Sequence, residues 1–268
     1  MVTRRRLDAE LVRRGLARSR EQAAGLVSAG LVTVSGQAAT KPATQVAPGD
    51  PIVVAERDTG PEYASRGGVK LAGALAAFAP RGLAVAGRRC LDAGASTGGF
   101  TDVLLRAGAA QVIAVDVGYG QLAWSLRTDE RVTVLDRVNV RTLTPGQVGA
   151  PPELVTADLS FISLTLVLPA LAACAAPEAD FVLLVKPQFE VGKGRVGAGG
   201  VVRDPALRAE AVTLVASAAV TLGLGVAGVA PSPLPGPSGN VEYFLWLRRG
   251  APPLGNEQLR QVIAEGPD

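Results

Sequence analysis

Histidine is absent from the 268 residues, so the usual general base and the imidazole metal ligand are both unavailable, and acid–base chemistry falls to Lys, Asp, Glu or Tyr. Lysine is the informative member of that set. The chain has 23 Arg but only four Lys, at positions 41, 70, 186 and 193. An ammonium can lose its proton when desolvated and a guanidinium cannot, so a lysine ending an apolar strand is a candidate base or oxyanion stabiliser. Lys186 stands there, after the run Phe181 to Val185; a strand capped by a snorkelling lysine is the alternative. Glu242 follows 31 uncharged residues, Ala211 to Val241, and lies in the final strand pattern 241 to 247. A carboxylate there needs a partner if buried.

A second group of residues reads as a ligand cradle. Asp92-Ala93-Gly94-Ala95-Ser96-Thr97-Gly98-Gly99-Phe100 is a glycine-rich turn between a strand and a helix, where glycines let backbone approach a ligand. Asp116, 22 residues beyond Gly94, ends the next strand, where an acid can accept both hydroxyls of an adenosine ribose. The loop lacks the G-x-G-x-x-G spacing that seats a pyrophosphate, and its D-x-G form resembles an S-adenosylmethionine loop. Asp136 and Asn139 follow the third strand and either hydrogen-bond an adenine edge or are ordinary turn residues. Asp158 follows the fourth, in Thr156-Ala157-Asp158-Leu159-Ser160-Phe161. Amino-group methyltransferases usually place prolines and an aromatic at this point, and carbon-five enzymes a Pro-Cys nucleophile. Neither is present, so a hydroxyl is the expected target.

The elements that must position these side chains are legible as apolar runs: strands at 89 to 93, 111 to 116, 131 to 135, 153 to 157 and 181 to 185, with a helix at about 98 to 108. Such alternation predicts a parallel sheet covered by helices, with the ligand at the carboxyl ends of its strands. Residues 1 to 57 differ in charge, with nine Lys or Arg against five acids, a net of +4, whereas the rest nets about −1. A basic module on a near-neutral body suits a polyanion partner, a solvated helix face being the bland reading. Leu7, Leu11 and Val12 give one helical stripe, and Ser19 with Gln22 signals a second helix closed by Gly30. Residues 31 to 34 read as a strand, Ser35-Gly36-Gln37 as a turn, and 51 to 54 as a returning strand. Expected domains are 1–57, a linker at 58–66, and 67–268.

Arg6-Leu7-Asp8, Ser19-Arg20-Glu21-Gln22-Ala23, Gly30-Leu31-Val32-Thr33-Val34-Ser35-Gly36, Lys41-Pro42 and Gly49-Asp50 resemble the small RNA-binding domain named after ribosomal protein S-four. That resemblance implies RNA contact through Arg5, Arg6, Arg18 and Arg20. Lys70, Asp158, Lys186 and Glu242 match in order the Lys-Asp-Lys-Glu tetrad of FtsJ-like ribose 2'-O-methyltransferases. The segments Ser65 to Leu71, Leu91 to Asp102 and Val185 to Glu190 resemble the TlyA (hemolysin A) family, in both domains and along essentially the whole chain. The resemblance implies an α/β fold, a Rossmann-like class I methyltransferase sheet behind a small α+β RNA-binding domain. It further implies S-adenosylmethionine as cofactor and methylation of cytidine riboses in ribosomal RNA, in small and large subunits. Where family members carry an Arg-x-Trp-Val tetrapeptide between the domains, this chain has Pro61-Glu62-Tyr63-Ala64.

On this reading Lys186, held by Asp158 and Glu242, receives or orients the hydroxyl proton, Lys70 positions the ribose, and no metal is needed. The cofactor set is Asp92, Gly94, Ala95, Ser96, Gly98, Gly99, Phe100, Asp116, Asp136 and Asn139. Two other functions stay open: a non-catalytic ribosome-binding assembly factor, and a membrane-lytic protein whose support is the uncharged 211 to 241 stretch. That stretch is mostly Ala, Gly, Thr and Ser with a Pro-rich second half, which predicts a buried helix and a strand rather than a membrane span. No signal-like segment follows Met1, and Cys90 and Cys174 suit buried thiols, so a cytoplasmic protein is expected. Residues 192 to 200 are a glycine-rich lid or simply a loop.

Overall fold

The computed structural model describes residues 4–17, 19–28, 30–54 and 63–265. The chain divides into two compact units, Met1–Pro61 and Glu62–Asp268.

In the first unit the two expected helices are α1 (Leu7–Arg13) and α2 (Arg20–Ser28). Ser19 Oγ accepts the Gln22 amide at 3.1 Å, satisfying one of the amides that a helix start leaves without an intrahelical partner. Gly30, at φ 70°, supplies the left-handed residue just beyond the helix. Strand β1 (Val32–Val34) pairs with β2 (Gln37–Ala38) and with β3 (Ile52–Val54), both antiparallel. Ser35 and Gly36, at φ 50° and 81°, make the tight turn between β1 and β2, whose twist matches the paired strands. Leu7, Leu11, Ala23, Val27, Val32 and Val46 form the core.

The second unit is built on α3 (Gly67–Phe78), β4 (Arg89–Ala93), α4 (Gly99–Arg106), β5 (Gln111–Asp116), β6 (Val132–Asp136), β7 (Leu154–Ala157) and α5 (Leu164–Cys174), followed by β8 (Asp180–Val185), α6 (Pro205–Val220), β9 (Leu224–Pro231), β10 (Tyr243–Arg249) and α7 (Asn256–Glu265). The seven strands lie in the order β9-β10-β8-β7-β4-β5-β6. Five pair in parallel as expected, but β10 runs antiparallel to both neighbours, so the sheet is mixed. The cause is the connection between β9 and β10. It contains no helix, and a parallel return needs a crossover of a dozen or more residues, usually helical.

Alternate residues of the central strands feed two cores. Cys90, Val112, Ala114, Val182, Leu184, Phe244 and Trp246 face α3 and α4. Leu91, Ile113, Val115, Val155, Leu183 and Val185 face α5 and α6. Burial on both faces explains why these strands read as unbroken apolar runs rather than alternating ones. Both cysteines are free and buried. The uncharged stretch divides as expected, α6 ending at Val220 and β9 beginning at Leu224. Among the described residues no helix is long and apolar enough to cross a membrane.

Residues 63–66, expected in the linker, pack on this second unit. The Ala64 amide donates to Asp102 Oδ2 at 2.8 Å, and the Arg106 guanidinium lies 5.1 Å from the Tyr63 ring centroid. Pro61 and Glu62 fall outside the described residues.

Candidate active site

The reversed direction of β10 places its amino end beside the carboxyl ends of the parallel strands, with Tyr243 opposite Val185. Glu242 therefore arrives where Lys186 and Asp158 leave β8 and β7. Side-chain alternation turns it to the face of Phe244, the face covered by α3, whose first turn carries Lys70. Lys70 Nζ lies 2.5 Å from Glu242 Oε2, and both groups are buried. Lys186 Nζ lies 2.5 Å from Asp158 Oδ1 and donates to Ser160 Oγ at 3.0 Å. The tetrad is thus two ion pairs. The expectation that Glu242 holds Lys186 is corrected: its partner is Lys70. The Lys186–Asp158 contact is an ion pair without hydrogen-bond geometry, because Asp158 Oδ1 receives no directed hydrogen bond.

Lys70, Asp158, Ser160 and Lys186 line one cavity of about 250 Å³, and Glu242 lies outside its wall. A neighbouring cavity of about 520 Å³ is lined by Asp116, Gln121 and Asn139 among the apolar side chains of Val117, Val138 and Ile162. Gly94, Ser96, Asp158 and Ser160 belong to both walls.

The glycine-rich turn makes this junction possible. Gly94 sits at φ 85°, and a Cβ there would meet the Asp158 carbonyl oxygen at 2.6 Å, so only glycine lets the ends of β4 and β7 approach so closely. The Ser96 amide donates to Asp116 Oδ2 at 2.8 Å and the Gly118 amide to Oδ1 at 2.7 Å, which fixes the carboxylate at the cavity rim. Ala95, Gly99 and Phe100 line the smaller cavity, whereas Gly98 lines neither and packs against Leu122 and Leu126.

Besides Gly98, two members of the expected cofactor set lie outside the walls of both cavities. Asp92 is buried beneath the loop, accepting from Thr101 Oγ1 at 2.7 Å; burial pushes its carboxyl up to about 7 against the opposing effect of that hydrogen bond. It alternates to the α4 side of β4 and braces the loop from below. Asp136 is paired with Arg127 at 3.0 Å and accepts from the Gly120 amide at 3.3 Å. Asn139 does line the larger cavity, its Oδ1 accepting from the Arg141 amide at 3.0 Å.

Sequence reasoning missed Ser160, Glu190 and the apolar wall. Glu190 is buried and accepts from Ser163 Oγ at 2.5 Å and the Leu164 amide at 2.8 Å, and burial pushes its carboxyl up. It ties the segment after Lys186 to the segment after Asp158. Phe189 and Phe161 meet between the same segments, ring centroids 5.3 Å apart. The signal for Ser160 and Glu190 was nearness to Asp158 and Lys186 in sequence, and for Val117 and Val138 nearness to Asp116 and Asn139.

In the small unit Arg5, Arg6 and Arg20 are exposed. Asp8 gathers two of them, Arg6 at 2.8 Å and Arg20 at 3.1 Å, and the hydrogen bond from Arg6 holds its carboxyl well below the usual range. Arg18 lies outside the described residues. Among the described residues, no group of three or more potential metal-ligating side chains occurs.

Residues 63–249 match the family model of FtsJ-like methyltransferases, and residues 5–52 that of the S4 domain. The chain is 61% identical over 272 residues to a Mycobacterium tuberculosis protein named 16S/23S rRNA (cytidine-2'-O)-methyltransferase TlyA, covering 100% of both chains. The chain belongs to the TlyA family of FtsJ-like methyltransferases. A further relative, from Brachyspira hyodysenteriae and named Hemolysin A, is 37% identical, covering 89% of this chain and 98% of that one. The family resemblance extends to three dimensions. A solved structure of a Streptococcus thermophilus protein described as a hemolysin covers 99% of this chain and 96% of its own at 38% identity, with a TM-score of 0.76.

Proposed function

We propose that this chain transfers a methyl group from S-adenosylmethionine to the 2'-hydroxyl of cytidine riboses in ribosomal RNA. The observation that carries the reading is the shared wall. A nucleoside-sized cavity with a fixed carboxylate shares Gly94, Ser96, Asp158 and Ser160 with an adjoining cavity whose side chains include Lys70, Asp158 and Lys186. The larger cavity fits the cofactor chemically. Val117, Val138 and Ile162 offer apolar faces to a flat base, and each Asp116 oxygen, accepting one amide, retains capacity for a ribose hydroxyl.

When bound, S-adenosylmethionine supplies a methyl group already activated on a sulfonium. The protein's remaining tasks are alignment and removal of one proton as the ribose oxygen bonds to carbon. Lys186 is held at the junction by Asp158 and Ser160, where its ammonium orients the ribose oxygen. The hydroxyl proton passes to solvent past the partly exposed Asp158 carboxylate at the cavity wall. Lys70, fixed by Glu242, presents a second cation to the ribose. Arg5, Arg6, Arg18 and Arg20 bind RNA phosphates in sequence-independent fashion. Family membership and the S4-domain match support the RNA substrate.

The test is incubation of purified protein with labelled S-adenosylmethionine and unmethylated ribosomal subunits, followed by mapping of ribose methyl marks. A mark at discrete cytidine 2'-oxygens, lost in Lys186→Ala, is expected. Tight RNA binding with no transfer overturns the reading in favour of an assembly factor.

A further inference from the structure

Away from the tetrad, a cleft of about 340 Å³ is lined by Arg81, Arg248 and Arg249, with Ala227, Trp246 and residues 250–252 completing it. Arg81 ends the short turn after α3, and Arg248 and Arg249 end β10. Charge at this place is unbalanced. Arg248 lies 5.9 Å from the Trp246 ring centroid and 3.9 Å from Asp180, but Asp180 already holds Arg88 at 2.6 Å and the Trp246 indole at 2.7 Å. Arg81 and Arg249 have no carboxylate partner among the described residues, and both are exposed. Of the three guanidinium groups only Arg248 comes near a carboxylate, and at 3.9 Å that carboxylate is already engaged.

Guanidinium forks match phosphate oxygens in pairs, and a cleft without an acid of its own gives up nothing to receive them. Glu242 and Arg249 bracket the same strand, which at about 3.3 Å per residue puts the cleft roughly 23 Å from the tetrad. A strand of duplex DNA carries a phosphate every ~3.4 Å along the helix axis, and at a spacing of that order an RNA with one ribose at the tetrad can present backbone several nucleotides away to the arginines.

We propose that the Arg81–Arg248–Arg249 cleft is a second RNA-binding site of the methyltransferase unit, gripping backbone phosphates remote from the methylated ribose. The proposal rests on the reading of this chain as an RNA-modifying enzyme. Each phosphate contact contributes ~0.7 to 0.9 to the slope of log affinity against log salt. The full-length Arg81→Ala/Arg249→Ala variant is expected to bind unmethylated 16S and 23S rRNA transcripts with a slope shallower by about 1.5. Between 50 and 200 mM KCl, wild-type affinity then falls about eightfold further than that of the variant. An Arg81→Lys/Arg249→Lys variant, which keeps both charges, is expected to retain the wild-type slope. Equal slopes and affinities for wild type and the alanine variant overturn the cleft, as does a lysine variant that loses as much slope as the alanine one. Failure of the wild-type protein to bind either transcript overturns the RNA reading itself.

Discussion

The Glu242 carboxylate lies 2.5 Å from the Lys70 ammonium although 172 residues separate them in the chain, and it does so behind the cavity wall, where water is excluded. Removing one partner of such a buried pair strands the other charge at a cost of about 3–5 kcal/mol, whereas replacing both with apolar groups is often neutral. Glu242→Leu alone is expected to lose about that much stability in urea titration, and Lys70→Met/Glu242→Leu to recover most of it. The double variant remains inactive in methyl transfer. Recovery of transfer together with stability would show that the pair only supports the fold.

Lys186 has the opposite character. Its ion pair borders the cavity, so Lys186→Ala is expected to keep the fold and RNA affinity while kcat falls by roughly 10²–10⁴, the range for a positioned group that assists proton transfer. Lys186→Arg restores the charge but not the compact geometry and stays impaired. Single-turnover transfer from labelled cofactor measures both.

Glu190 carries two hydrogen bonds that start α5, from Ser163 and Leu164. Glu190→Ala is expected to cost about 1–3 kcal/mol by leaving buried donors unmet. It also lowers kcat, because the segments carrying Lys186 and Asp158 lose their tie. Glu190→Gln keeps an acceptor for the Leu164 amide and rescues most of both. Equal activity in the alanine variant, with only stability reduced, would confine Glu190 to a capping role.

Asp92 gives the fold a pH dependence of definite sign. Its carboxyl is raised from 3.8 to about 7, chiefly by burial, so the folded state holds the proton more tightly than the unfolded chain. Its stabilising contribution is complete below pH 3.8 and is lost as pH rises through 7. Asp92→Asn, which still accepts from Thr101, is expected to gain stability relative to wild type as pH rises from 4 to 7. Parallel melting curves at each pH would show instead that the carboxyl titrates normally.

Much of this was written in local patterns. The apolar strands, the glycine turn and the lone charges at Lys186 and Glu242 stand out because a buried sheet leaves few places for charge. Three features did not stand out. The direction of β10 depends on a connection whose Pro and Gly residues forbid a helix but do not spell out antiparallel pairing. The choice of Lys70 over Lys186 as the partner of Glu242 depends on which face of β10 that residue occupies, a matter of register fixed by strand pairing. Asp92 and Asp136 sit in the right place along the chain for ligand contact, yet alternation and Arg127 take them elsewhere.

The wall common to the two cavities has a pharmacological consequence. Gly94, Ser96, Asp158 and Ser160 face both the space suited to an adenosine and the space beside Lys186, so the two lie side by side. A single inhibitor with an adenosine-like head tethered to a cytidine-like tail is therefore expected to reach both cavities across a short tether. Tethering raises its avidity over either half by on the order of 10²–10⁴, and its selectivity then comes from the pairing of the two halves, since many methyltransferases accept the head alone.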